Sequence, residues 1–192
     1  MDEGWDIGDR VMIDVGSGVH RQYTICRLHR PRGVFDILAV AHGAGPGGRW
    51  VRTVEKGDSL KLFGPKPDLD VRTAGVRNLI LLGDETTVGL YEAVHRVRRG
   101  PVKIWGALEH SEAVELHACE LPVLSGLERI PRNNALPGDG LNRWIREHDI
   151  YDPKTVFFVN GHGAAVRSLR LALLSMGIRG VAIRSRAFWG RI

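Results

Sequence analysis

Two apolar runs, each ending in glycine and leading into an amphipathic segment, restrict the second half of this chain to a parallel β-sheet. The runs are NLILLG at 78–83, followed by DETTVGLYEAVHRVRR at 84–99, and TVFFVNGHG at 155–163, followed by a segment at 164–176. Each following segment repeats apolar residues at helical spacing and is predicted as a helix. The predicted inward residues are Leu90, Tyr91, Val94 and Val97 in the first helix and Val166, Leu169, Leu173 and Met176 in the second. Strand, glycine turn and helix, used repeatedly, predict an α/β sheet with ligands at the carboxyl ends of its strands.

The first third of the chain has a different pattern. Stretches rich in β-branched and aromatic residues at 9–15, 21–28 and 33–41 are predicted as strands, and a further strand is predicted to end at Gly64-Pro65. Short strands at this spacing predict a small antiparallel β-barrel. The linker KPDLDVRTAG follows, so we predict two domains, 1–70 and 71–192. VKIWGAL at 102–108 is predicted as another buried strand and NNALPGDG at 133–140 as a loop.

Charge and cysteine content narrow the function classes. The chain has 27 Lys and Arg against 22 Asp and Glu, which suits an anionic cofactor or substrate, and no nucleic-acid-binding motif is present. Cys26 and Cys119 have no metal-ligand spacing, so they are predicted to be reduced, packed thiols. The N-terminus lacks an apolar leader and no run reaches the ~18 apolar residues of a membrane helix, so we predict a soluble cytoplasmic protein without a membrane partner.

Four motifs occur in an order that resembles a known family. They are RQYT at 21–24, AHGAGPGGRW at 41–50, GDSLKLFGP at 57–65 and LLGDETTV at 81–88. Together they resemble the siderophore-interacting proteins, the FAD-dependent ferric-siderophore reductases of the ferredoxin-reductase superfamily. The resemblance implies a flavin-binding barrel followed by an NAD(P)H-binding-like α/β domain, with electrons passing from NAD(P)H through FAD to a ferric siderophore. Iron then belongs to the substrate, and no protein-bound metal is expected.

The resemblance implies a flavin site in the first domain. Arg21 would neutralise phosphate, Tyr23 would pack on the flavin and Thr24 would hydrogen-bond near its N5, so Tyr23 and Thr24 are also the catalytic candidates. The glycine-rich stretch would let the backbone approach the diphosphate, with His42 and Trp50 on the adenine or ribose side. The resemblance thus implies that the cofactor-binding residues of this stretch are His42, Gly43, Gly45, Pro46 and Trp50. Taken alone, the same stretch is also typical of a plain loop.

The second domain supplies the remaining candidates. Gly83, Asp84, Glu85 and Thr86 would contact cofactor, although the alternative is that Asp84 or Thr86 only caps a helix. The C-terminal segment AFWGRI resembles part of the family's aromatic tail, and the substrate candidates are Arg184, Arg186, Trp189 and Arg191. A tail packed on its own domain is the alternative. His162 is open to two interpretations, a nicotinamide contact or a turn residue.

Two departures from the family pattern leave other functions open. Compared with the family pattern, we expect the chain to lack the barrel strand that precedes residue 7 and to have a shortened tail. An open barrel edge near 9–15 would need a partner, so we predict a homodimer or another tight association. The alternative functions are a non-redox tailoring or cyclising enzyme of natural-product biosynthesis, and a non-catalytic siderophore-binding module.

Overall fold

The N-terminal part of the chain forms an antiparallel sheet. The structure, a computed structural model, describes residues 4–71, 75–111, 121–132 and 135–190. Its first elements are β1 (Arg10–Asp14), β2 (His20–His29), β3 (Val34–Ile37), α1 (Pro46–Thr53) and β4 (Leu62–Lys66), with a 3₁₀ turn at Arg30–Arg32. The predicted strands at 9–15 and 21–28 are confirmed, the strand predicted at 33–41 ends already at Ile37, and the fourth continues past Pro65 to Lys66.

The pairing of these strands corrects the predicted position of the open edge. The sheet has the order β3-β2-β1-β4, so β1 pairs with β2 on one side and with β4 on the other. The prediction of an open edge near 9–15 is therefore wrong, because alternation in β1 buries Val11 and Ile13 and both flanks of the strand are hydrogen-bonded. The edges of this sheet are β3 and β4.

The C-terminal part forms the predicted parallel sheet. Its strands are β5 (Asn78–Asp84), β6 (Lys103–His110), β7 (Leu127–Pro131), β8 (Thr155–His162) and β9 (Ile183–Trp189). They pair in the order β7-β6-β5-β8-β9, and every pair is parallel. The helices are α2 (Val88–Val97), α3 (Asp139–Glu147) and α4 (Gly163–Ser175), with 3₁₀ turns at Glu85–Thr87, Pro122–Gly126 and Gly180–Ala182. The strand order reverses between β5 and β8, where ligands of such sheets bind.

Alternation along β5 separates two apolar cores. Leu79 and Leu81 pack with α2 on one face, whereas Ile80 and Leu82 pack with α3 and α4 on the other. The predicted inward face of α2 is confirmed, as is that of α4 up to Leu173. Met176 is 41% exposed, so its predicted burial is wrong; α4 ends at Ser175 and Met176 serves only as its C-terminal cap.

Three elements were not predicted. The predicted loop at 133–140 ends in a helix, since α3 begins at Asp139; residues 133–134 lie outside the described residues. Leu141, Trp144 and Ile145 form the buried face of α3. The other two are β7 and β9, and β9 includes residues 187–189, the first half of the predicted tail AFWGRI. The domain boundary after residue 70 stays a prediction, and it falls between β4 and β5.

Cys26 is a buried free thiol. Burial, followed by the nearby Asp36 and Glu92 carboxylates, raises the pKa of this thiol to about 11, so it is protonated and unreactive near neutral pH. Cys119, also predicted to be packed, lies outside the described residues. Among the helices that the structure describes, none is long and apolar enough to cross a membrane.

Candidate functional site

A cavity of about 770 Å³ lies between the antiparallel sheet and the carboxyl ends of the parallel strands. Its walls come from residues 20–24 of β2, from parts of 38–48, from Thr86, Gly89 and Leu90 near the start of α2, and from 186–190 at the end of β9. The volume is that of an ordinary cofactor pocket. The cavity therefore brings together segments from both halves of the chain.

The glycine-rich stretch forms a backbone cradle in this cavity. Gly43, Gly45, Gly47 and Gly48 line it. A Cβ atom on Gly48 would stand 2.4 Å from the carbonyl oxygen of His42 and 2.6 Å from that of Gly43, so no larger residue fits without a shift of the backbone. Gly45 precedes α1 without a side-chain cap, and Pro46, although not a lining residue, occupies the first turn. An uncapped helix start bordered by glycines is suited to bind phosphate.

The predicted β2 residues line the same cavity. Arg21 donates to the carbonyl oxygen of His20 at 2.9 Å, and its Cγ would lie 3.2 Å from a Cβ on Gly47, which keeps this side chain beside the cradle. Tyr23 packs with its ring centroid 5.5 Å from that of Trp50, and burial raises the pKa of Tyr23. Thr24 is 6% exposed and still lines the cavity.

Trp50 is not among the lining residues. It packs instead against the apolar cluster that contains Val11 and Ile25, and it supports Tyr23 from outside the cavity. The residues that do line this side therefore offer phosphate-binding N–H groups, a guanidinium, a phenol ring and a hydroxyl. This donor set fits a ligand that has a diphosphate and a flat ring, as FAD does.

The Gly83–Thr86 turn contributes to the cavity mainly through Thr86. A Cβ on Gly83 would lie 2.4 Å from the hydroxyl oxygen of Tyr91, so Gly83 is needed for packing. Asp84 accepts from the backbone N–H of Thr86 at 3.0 Å, which confirms the predicted cap. Glu85 is 2% exposed and pairs with Arg132 at 3.1 Å. Gly83, Asp84 and Glu85 do not line the cavity.

The predicted substrate residues differ in position. Arg186 and Trp189 line the cavity, and the Arg186 guanidinium binds both the Asp68 carboxylate and the Gln22 side-chain oxygen. Arg184 is not a lining residue; it pairs with Asp70 at 3.6 Å and lies over the Phe158 ring. Arg191 lies outside the described residues.

Trp189 is surrounded by polar groups. Its ring centroid lies 4.6 Å from that of His162 and 5.5 Å from that of His42, and the Arg132 guanidinium carbon lies 5.9 Å from it. His42 lines the cavity, as predicted for a contact residue, but its ring neighbour is Trp189. His162 accepts from the backbone N–H of Ala164 and so caps α4, which is the turn role left open by the sequence.

Several lining residues were not predicted from the sequence. Phe188 is adjacent to the predicted Trp189, and Gln22 is the unassigned position of the RQYT motif. Both residues therefore lie inside motifs that the sequence analysis identified. Gly89 lines the cavity because it allows α2 to approach Leu38, where a Cβ would lie 3.2 Å from the Leu38 carbonyl oxygen. No sequence signal marks that approach.

The chain is similar in sequence to proteins that handle siderophores. Residues 2–69 match the model of the siderophore-interacting FAD-binding domain. The ferric vibriobactin reductase ViuB of Vibrio cholerae serotype O1 is 31% identical over 135 residues, which are 68% of this chain and 49% of that protein. The chain thus spans about half the length of the curated relatives it matches.

Solved structures confirm the fold. A siderophore utilization protein from T. fusca superposes with a TM-score of 0.74 at 22% identity, covering 98% of this chain and 83% of that one. The ferredoxin reductase in carbazole 1,9a-dioxygenase gives a TM-score of 0.72 at 18% identity, covering 96% and 60%. The predicted ferredoxin-reductase-like arrangement, an antiparallel sheet followed by a parallel α/β sheet, is therefore confirmed. Residues 2–69 are thus similar to the siderophore-interacting FAD-binding domain, and the chain resembles siderophore-interacting proteins in sequence and in fold.

Proposed function

We propose that this protein binds FAD in the cavity between its two sheets and uses it to reduce a ferric siderophore with electrons from NAD(P)H. The observation that carries the proposal is the uncapped glycine start of α1 beside Arg21, in one cavity with Tyr23 and Thr24. The match of residues 2–69 to an FAD-binding domain supports the same cofactor.

Each part of the cavity has a task under this proposal. The α1 cradle and Arg21 hold the diphosphate, since backbone N–H groups and a guanidinium both donate to phosphate oxygens. Tyr23 supplies an aromatic face and Thr24 a hydroxyl at the ring. Bound FAD accepts electrons in pairs and releases them singly, which matches a two-electron donor to ferric ions. The remaining residues orient the ring and exclude water from it.

The donor and the substrate are the less constrained parts of the proposal. The parallel sheet reverses its strand order between β5 and β8, and such a crevice commonly binds nucleotides, which supports a pyridine nucleotide as donor. The ferric siderophore follows from the relatives, with its iron held by the chelate. The positive net charge of +5 would favour an anionic chelate, and we propose that the protein works in the cytoplasm, where NAD(P)H is available.

The first test is the visible spectrum of freshly purified protein, followed by FAD titration and single-turnover reduction. We expect a yellow protein. NADPH or NADH should bleach its visible absorbance, and a ferric siderophore should restore that absorbance. A protein that bleaches and is never restored by ferric chelates is a reductase for another acceptor. A colourless protein that does not bind added FAD contradicts the proposal and supports a non-redox enzyme or a binding module in the same cavity.

Replacing Arg21 by alanine should weaken FAD binding by about tenfold, and more than replacing His42 by alanine. The guanidinium makes a charge-assisted bond to phosphate, which is roughly twice as strong as a hydrogen bond between neutral groups. Fluorescence titration of both variants measures the two dissociation constants. Equal losses of FAD affinity in the two variants would show that Arg21 does not bind the diphosphate.

We also propose that β4 mediates a homodimer. This strand is an edge of its sheet, and Leu62 and Phe63 are 40% and 48% exposed. Exposed apolar edge strands pair with other strands unless something covers them. Phe63→Glu should convert the dimer to monomer in light scattering across a concentration series, whereas Val34→Glu on the opposite edge strand β3 should not. A wild-type protein that is monomeric at every concentration would refute the dimer.

A further inference from the structure

We infer that Asp84 is a positioning residue that holds the Trp189 indole as a wall of the cavity. One carboxylate oxygen of Asp84 accepts from the Trp189 Nε1–H at 2.9 Å and from the backbone N–H of His162 at 2.8 Å. The other accepts from the backbone N–H of Thr86 at 3.0 Å and from the Thr86 hydroxyl. One side chain thus joins the ends of β5, β8 and β9.

Asp84 is placed for this task because it is buried and bound by neutral donors. It is 4% exposed, and in the part of the chain that the structure describes it makes no ion pair. Hydrogen bonds to a charged group are stronger than neutral ones, and a buried carboxylate needs all of them. The Asp84 carboxylate is therefore stabilised by the donors that surround it. Among these donors, the indole N–H of Trp189 is the one that β9 contributes.

Two glycines allow close approaches around Asp84 and Trp189. A Cβ on Gly161 would stand 2.4 Å from Oδ2 of Asp84, so the glycine allows β8 to come within reach of the carboxylate. A Cβ on Gly190 would stand 2.4 Å from Nε2 of His162, so a second glycine lets His162 pack edge-on against Trp189. The first approach places the carboxylate that binds the indole N–H, and the second places the His162 ring beside the indole.

The consequence is that Asp84 acts on the ligand without touching it. Asp84 is not a lining residue, whereas Trp189 is. The indole also lies where the strand order reverses, because its bond partner ends β5 and its ring neighbour His162 ends β8. The orientation set by Asp84 therefore fixes the shape of the cavity next to the reversal point. As far as it concerns FAD, this inference rests on the proposed function.

The test uses ¹⁵N-labelled full-length protein with Asp84→Asn, Trp189→Phe and the double variant. Asparagine replaces one carboxylate oxygen by an N–H₂ group, which cannot accept from the indole and His162 donors, whereas phenylalanine keeps a smaller aromatic ring and has no indole N–H. The Trp189 indole resonance is identified by its loss in Trp189→Phe. In Asp84→Asn we expect this resonance to move and its hydrogen exchange to rise by about tenfold.

FAD affinity supplies the second measurement. Each single variant should weaken FAD binding by about tenfold, and the double variant should lose no more than either, because both remove the same bond. Asp152→Asn is the matched control: Asp152 accepts from Asn78 and Lys154 at the opposite end of the sheet, and the same substitution there should leave the indole resonance and FAD affinity unchanged.

An unchanged indole resonance and exchange rate in folded Asp84→Asn would overturn the inference, and so would fully additive losses of FAD affinity. If Asp84→Asn does not fold, Trp189→Phe decides: unchanged FAD affinity in that variant also overturns it. Wild-type protein that binds no FAD defeats the proposed function instead. The inference is then judged by the indole resonance and its exchange in the apo protein alone.

Discussion

Gly48→Ala should lower the free energy of unfolding by about 3 kcal/mol, because an added methyl group meets backbone that cannot yield easily. The neighbours are the carbonyl oxygens of His42 and Gly43, at 2.4 and 2.6 Å from the ideal Cβ position. Relief of this overlap requires the turn that forms the cradle to open, so FAD affinity should fall by at least about tenfold. Denaturant unfolding and FAD titration measure the two effects.

Gly45→Ala is the control from the same stretch. A Cβ there has no atom within 4 Å, and the residue has a φ of −68°, which alanine adopts readily. Reduced chain entropy in the unfolded state and a slightly poorer N-cap offset each other, so the unfolding free energy should change by less than about 0.5 kcal/mol. Equal destabilisation by both substitutions would show that the close approach at Gly48 is not what the fold requires.

Arg186→Met should destabilise the protein by about 3 kcal/mol, because it leaves a buried carboxylate without its cation. The Asp68 side chain is 7% exposed, and the Arg186 guanidinium also binds Gln22 of β2. The same change removes a charged lining residue from the cavity. We expect the apparent melting temperature to fall and a bound flavin to be released at lower denaturant concentration.

Two further variants separate the buried charge from the loss of an arginine. Arg30→Met breaks a pair with Asp6 whose side chains are 51% and 56% exposed, and it should change the unfolding free energy by less than about 1 kcal/mol. Adding Asp68→Asn to Arg186→Met removes the stranded charge and should restore most of the stability. A double variant as unstable as Arg186→Met would contradict the role assigned to Asp68.

The sequence predicted the elements whose local pattern is strong. The strand predicted at 9–15 and the helical spacing of Leu90, Tyr91 and Val94 both agree with the structure. It did not predict α3 or β9. The Leu141, Trp144 and Ile145 spacing of α3 is hidden behind a Pro/Gly-rich stretch, and Arg184 and Arg186 make β9 resemble a charged tail although both are paired with aspartates.

The candidate site was predicted in part for the same reason. Motif residues in the cradle and in β2 line the cavity, and these residues stand in short continuous stretches that a sequence pattern can mark. Trp50 and Gly83 share the motifs but serve packing, and sequence alone does not distinguish a residue that faces a ligand from one that supports its neighbour. The Asp84–Trp189 bond joins residues 105 positions apart, which no local pattern can indicate.

The walls of the cavity come from distant parts of the chain, so the site can form only late in folding. Gln22 and Arg186 meet across a separation of 164 residues, so the β2 wall is made early in synthesis and the β9 wall only after the rest of the described chain. Contacts of such long range form late because the chain must first close a large loop. The antiparallel sheet must therefore survive in the nascent chain without the ligand it helps to bind, and the stabilisation that a bound cofactor provides reaches the protein only when synthesis has passed β9.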